Sequence, residues 1–213
     1  MKKMKEYFDD EAVEHDNLFL KDMEMTEFYD EVERTLEQYK NKSSVLVLGC
    51  GSGLEIERLK FPCNVVGVDI SDKMLEVLKK KKLYDGVELT TVCGSFLDLD
   101  FEESHYDIVL SCYALHHFNS EQKLNLYKKI YTSLRNGGVF VNGDTIAVSK
   151  DEENELMTKA VQLYEDENMP FASLHVDVPF CWEHEKEVLE NAGFLRVDLV
   201  KEWQNTKLYK CEK

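Results

Sequence analysis

The run Val45-Leu46-Val47-Leu48, ending in Gly49-Cys50-Gly51-Ser52-Gly53, constrains this chain more than any other feature. Consecutive β-favouring apolar residues leave no polar face, so they predict a strand covered on both sides, as in a parallel sheet flanked by helices. The glycines that follow permit a tight turn and let backbone N–H groups come close to a ligand. Their spacing is G-x-G-x-G, and Leu54 breaks the G-x-G-x-x-G pattern of dinucleotide-binding turns. With no hydride-transfer constellation in view either, a nicotinamide-dependent oxidoreductase is the least favoured enzyme.

Strand and helix patterns then alternate. Strands are predicted at Val65–Asp69, Val87–Val92, Tyr106–Ser111 and Val139–Asn142. Ser71 is placed to cap a helix carrying Met74, Leu75 and Leu78, whose lysine run Lys79–Lys82 reads as a solvated C-terminus. A second helix starts at Ser120, and Asn136-Gly137-Gly138 reads as the turn before the fifth strand. This alternation predicts an α/β doubly wound sheet with right-handed crossovers. Before it, apolar residues from Met25 to Tyr39 recur at helical spacing over 24–41. After it come an acidic helix over 150–168 with Leu156, Met157, Ala160, Val161 and Tyr164 inward, an irregular stretch to Phe180, and a helix Trp182–Ala192 stopped by Gly193. Two closing strands, Phe194–Lys201 and Thr206–Cys211, suit an antiparallel pair. The 213 residues read as one domain: a helical lid (1–42), a core (43–148), an insertion (149–181) and a closing helix with hairpin (182–213).

Charge narrows the partners. Forty-two acidic against 26 basic residues give a net charge of −16, which repels phosphate backbones and disfavours nucleic acid. No apolar run approaches the ~20 residues of a bilayer span, and the N-terminus has no signal-peptide pattern, so the expected compartment is the cytoplasm and no membrane is expected. The six cysteines lack a Cys-x-x-Cys pair and read as free thiols. No metal is expected: His116 and His117 are adjacent and would point to opposite sides of a strand.

Ligands in doubly wound sheets bind outside the carboxyl ends of the strands, so the residues just after each strand matter most. These are Gly49–Gly53, Asp69 with Ile70, Gly94-Ser95-Phe96, Ser111–Phe118, and Asn142-Gly143-Asp144. Asp69, 20 residues after Gly49, is placed to accept hydrogen bonds from both hydroxyls of a ribose, or to serve as a turn acid before the next helix. Ile70 and Met74 are candidates to cover a purine ring.

Taken in this order, segments 45–53, 65–71, 92–96, 106–118 and 134–140 resemble the class I S-adenosylmethionine-dependent methyltransferases, of the small group often called type 11 or type 12. The likeness covers residues 43–145, and the rest by pattern. It implies a seven-stranded, mostly parallel Rossmann-like sheet with the seventh strand antiparallel, and S-adenosyl-L-methionine as cofactor with S-adenosylhomocysteine as product. The implied cofactor contacts are Gly49, Cys50, Gly51 and Gly53 under the methionine moiety, Asp69 on the ribose, Ile70, Met74, Ser95 and Phe96 around adenine, and Ser111 at the next strand end. The family commonly has an acid two residues before the first glycine, where this chain has Val47, and an Asp where it has Ser95.

A sulfonium is already an activated electrophile, so the expected chemistry is in-line displacement aided by a proton acceptor, for which His116 and His117 are the candidates. The segments Tyr7-Phe8-Asp9 and His15-Asp16 resemble the family's N-terminal lid. Tyr7, His15, Tyr113, His175 and Phe180 are the expected acceptor contacts, with Asp177 beside them. The expected function is methyl transfer to a small molecule by a monomer or homodimer. Two alternatives stand beside it. One is modification of the wobble uridine of transfer RNA, including a carboxymethyl-transferring type, against which the few arginines (Arg34, Arg58, Arg135, Arg196) weigh. The other is a regulatory protein that binds the cofactor without turnover.

Overall fold

The run at 45–48 lies at the centre of a sheet as strand β1 (Ser44–Leu48), every residue of it buried. The structure, a computed structural model, describes residues 2–213. The other strands are β2 (Cys63–Asp69), β3 (Val87–Cys93), β4 (Tyr106–Cys112), β5 (Leu134–Thr145), β6 (Val197–Trp203) and β7 (Thr206–Glu212). They pair in the order β3-β2-β1-β4-β5-β7-β6. Pairing is parallel from β3 through β5 and antiparallel for β5 with β7 and β7 with β6. Only Gln204 and Asn205 separate the last two strands, and so short a link closes only an antiparallel pair.

Helices cover both faces: α1 (Met4–Glu11), α2 (His15–Asn17) running into a π-turn (Leu18–Asp22), α3 (Thr26–Glu37), α4 (Asp72–Leu78), α5 (Ser120–Ser133), α6 (Lys150–Asp166) and α7 (Trp182–Asn191). Alternation along β1 divides the core in two. Val45 and Val47 pack with Phe28, Val32 and Leu36 of α3. Leu46 and Leu48 pack with Tyr127 and Ile130 of α5 and Leu189 of α7. Among the described residues no helix is long and apolar enough to cross a membrane.

Several boundaries differ from the sequence reading, each for a local reason. The expected turn at Asn136–Gly138 is a bulge inside β5: pairing jumps from Tyr106–Leu134 to Ile108–Val139, and Gly137 takes φ +73°. Strand β6 begins at Val197, because Phe194 is fully buried against Tyr131 and Phe140 and closes the turn after α7. The predicted cap on α4 is present, Met74 N–H donating to Ser71 Oγ (3.1 Å). Lys81 is not a solvated helix end: its ammonium bridges Asp16 (2.6 Å) and Glu57 (2.7 Å), tying α2 to the chain after β1. On α6, Ala160 and Tyr164 face inward as expected while Val161 is exposed, since the helix packs through the side that carries Glu153, Met157, Ala160 and Tyr164.

Candidate functional site

The strand order reverses between β1 and β4, and a cleft opens there at the carboxyl ends, lined by residues that follow β1, β2, β3 and β4. The turn after β1 forms its floor. Gly49 takes φ +65°, and a Cβ there would lie 2.4 Å from Ala114 Cβ, so only glycine lets the turn pass under the β4 loop.

Eight of the ten expected cofactor residues line this cleft: Gly49, Cys50, Gly51, Asp69, Ile70, Met74, Ser95 and Phe96. The other two stand outside it. A Cβ on Gly53 would lie 2.3 Å from Leu78 Cδ1, so this glycine serves the close packing of α4. Ser111 is fully buried, its hydroxyl donating to the Leu48 carbonyl (3.0 Å) across the β1–β4 seam. Asp69 has a double part. Its Oδ2 accepts the Gly51 N–H (2.7 Å) and its Oδ1 the Ser71 N–H (2.8 Å), so it shapes both turns while each oxygen keeps a further acceptor position. Burial pushes its carboxyl above the ordinary range.

The N-terminal segment closes over this floor through polar links. Ser52 Oγ donates to Asp16 (2.5 Å) and lies 3.0 Å from His15 Nδ1, and the His15 ring stacks on Phe19. Met4, Phe8, His15 and Phe19 thereby line the cleft, and the Ser71 hydroxyl donates to Asp9 of α1 (2.7 Å).

Beyond the floor lies a histidine cluster on the loop after β4. His116 and His117 sit on a turn, not on a strand, so their rings lie on the same side, 4.1 Å apart. His116 Nδ1 meets Asp144 Oδ1 at 2.5 Å, and its Nε2 lies 3.5 Å from Asp177. Burial opposes its charge, but the two carboxylates outweigh burial and bring its pKa up to about 9. His117 behaves oppositely: burial, and then the neighbouring His116, push its pKa down. Its Nδ1 lies 3.1 Å from the Val176 carbonyl and 3.2 Å from Asp177, two acceptors that fix the proton on Nδ1 and leave Nε2 with the lone pair. Ligand atoms of His116, His117 and Asp177 lie within 4.8 Å of one another. The ion pair of Asp177 with His116 and its contact with the His117 Nδ1–H account for that proximity.

The expected acceptor residues divide. His117, His15 and Tyr113 line the cleft; His116 backs it. Tyr113, at φ +51°, holds its hydroxyl 2.9 Å from Thr206 Oγ1. Tyr7 and His175 stack on each other (3.6 Å between centroids) outside the cleft, and burial brings His175 down to about 4. Phe180 is a core residue, fully buried between His184 and Lys123, because the chain entering α7 turns it away from the loops and toward α5. Sequence reasoning missed Glu55, which lines the cleft at 4% exposure. The available signal was an acid between Leu54 and Ile56 immediately after the glycine turn.

A family model described as a methyltransferase domain matches residues 45–138. The chain is 31% identical over 159 residues to an uncharacterized methyltransferase of Bacillus cytotoxicus, covering 73% of each. It is 24% identical over 180 residues to a carboxy-S-adenosyl-L-methionine synthase of Nautilia profundicola, covering 78% of this chain and 75% of that one. Among solved structures, the DhpI–SAH complex superposes with a TM-score of 0.73 at 17% identity, over 97% of this chain and 93% of the other. With the glycine turn, the acid ending β2 and the reversal between β1 and β4 in place, the chain belongs to the class I S-adenosylmethionine-dependent methyltransferases.

Proposed function

We propose that this enzyme methylates a small neutral or cationic acceptor, with His117 taking the acceptor's proton. The carrying observation is a neutral imidazole in a cleft wall without Lys or Arg. His117 faces the cleft with its pKa held down, and among the described lining residues there is no Lys or Arg to receive an anion. The residues fit the cofactor: the glycine turn leaves room over the floor, and Asp69 retains acceptor positions for hydroxyl groups.

When bound, S-adenosylmethionine supplies a methyl group already activated by its sulfonium. The chain's part is then to position the acceptor, exclude water and remove a proton. Phe19, Tyr113 and Phe118 give the cleft an aromatic wall that displaces water. His116, protonated between Asp144 and Asp177, is not free to accept a proton, and its charge keeps His117 neutral. The Asp144–His116 pair is thus a positioning device and His117 the base.

Relatives named carboxy-S-adenosyl-L-methionine synthase make, by that name, a product with an added carboxylate. The cleft wall without Lys or Arg favours methyl transfer to an uncharged or positive partner, and the net charge of −16 weighs likewise against transfer RNA. The test is transfer from labelled cofactor to a panel of thiol, amine and phenol acceptors. His117→Ala is expected to lower kcat by about 10²–10⁴-fold, with S-adenosylhomocysteine affinity changed less than about threefold. No transfer to any acceptor, or full activity in the variant, overturns the reading.

A further inference from the structure

Glu55 is a buried carboxyl group in the cleft wall. It precedes a short 3₁₀ turn (Ile56–Arg58), is 4% exposed, and its Oε1 has no hydrogen-bond partner among the described residues. Around it stand Cys50, Tyr29 and Cys112, none of which offers a positive charge. The nearest ammonium, Lys81, is already shared between Asp16 and Glu57, and the carboxylates that face Glu55 are Asp69 and Asp16. Burial, with only its own backbone N–H and Lys81 opposing, pushes its carboxyl up to about 8. An ionised carboxylate in such a place is stable only beside a cation.

Position suggests which cation. Val47, Cys50, Cys112 and Tyr29 belong to one packed cluster on one face of the sheet, and Glu55 follows the turn that caps it. The apolar Val47 leaves that face without an acid of its own at the end of β1. Glu55 lines the same cleft as Asp69, Gly51, Gly49 and Cys112. We propose that Glu55 receives the α-ammonium group of the bound cofactor and gives up its proton to solvent as the ligand enters. This rests on the cofactor assignment and deepens it by adding a proton-coupled anchor.

The balance is simple: the carboxylic acid becomes a carboxylate, one proton leaves, and the ligand ammonium keeps its own. With its carboxyl held up to about 8, most of the molecules carry that proton at pH 7, so binding releases most of one proton. Calorimetric titrations of the full chain with S-adenosylhomocysteine, in buffers of different ionisation enthalpy, read this release directly. 5′-Methylthioadenosine, which has the adenosyl thioether but no amino-acid end, is expected to bind with no release. Glu55→Gln, which imitates the neutral acid, is expected to abolish release and weaken S-adenosylhomocysteine at least tenfold while leaving 5′-methylthioadenosine unchanged. Binding of S-adenosylhomocysteine to the wild-type chain without release, or equal affinity in the variant, overturns the role of Glu55. A wild-type chain that binds neither nucleoside overturns the cofactor assignment as well, so the two failures are distinguishable.

Discussion

Replacing Asp144 by Asn separates the charge of the buried ion pair from its shape. Asp144 Oδ1 meets His116 Nδ1 at 2.5 Å and accepts the Thr145 N–H at 2.8 Å, and Oδ2 accepts the Leu115 N–H at 2.9 Å. An asparagine keeps the volume and an acceptor oxygen but removes the negative charge. In the folded chain His116 is raised from 6.5 to about 9. A raised base adds stability that is fully present below pH 6.5 and disappears as pH climbs through 9. At about 1.4 kcal/mol per pKa unit, that rise corresponds to roughly 3 kcal/mol, and Asp177 retains a share of it in the variant. The penalty of Asp144→Asn is therefore expected to be about 2–3 kcal/mol larger at pH 6 than at pH 9.5, on top of a pH-independent cost for imperfect hydrogen bonds. Urea unfolding of both proteins at the two pH values measures this difference. Glu55 titrates in both proteins, so its contribution cancels. An equal penalty at pH 6 and pH 9.5 would refute the assignment of a buried imidazolium to His116.

Two further substitutions test the floor of the cleft and a misread residue. Gly49→Ala is expected to destabilise by about 2–4 kcal/mol through left-handed backbone and overpacking, since its Cβ meets Ala114 Cβ at 2.4 Å; chemical denaturation and S-adenosylhomocysteine titration should show both stability and binding reduced. Phe180→Ala should cost about 3–5 kcal/mol as a core truncation, while calorimetry on the folded fraction finds cofactor affinity unchanged, which a cleft-lining Phe180 would not permit.

The parallel core was legible because β1 and β4 are buried along their whole length, and β2 is buried from Gly67 to Asp69, so their apolar runs carry little alternation to confuse them with surface strands. The glycine turn and Asp69 were legible because their chemistry depends on strand ends, which periodicity locates. What escaped was decided by contacts between distant segments. The opposite electrostatic fates of His116 and His117 depend on Asp144, 28 residues after His116, and on Asp177 in the insertion, so no local pattern distinguishes the two rings. Phe180 looked like an insertion residue available to a ligand. Its direction is set instead by Lys123, whose ammonium lies 4.1 Å from the ring and 2.7 Å from Glu185. Glu55 was passed over because an acid after a glycine turn resembles any other surface acid until both neighbours are known to be buried.

These placements follow one electrostatic logic. A sulfonium donor carries its activation with it, so the protein's task is to hold a cation in a small space and accept a proton nearby. On the proposed reading Asp69, and Glu55 once its proton has left, favour the cation, but an ionised carboxylate there would also raise the pKa of any imidazole in the same cleft. In the proposed reaction the base stays neutral: burial, and then the charge of His116, whose ring lies 4.1 Å away between Asp144 and Asp177, oppose the protonation of His117. On the proposed function the two histidines therefore have different parts, His116 adding to the potential that His117, as the base, works in.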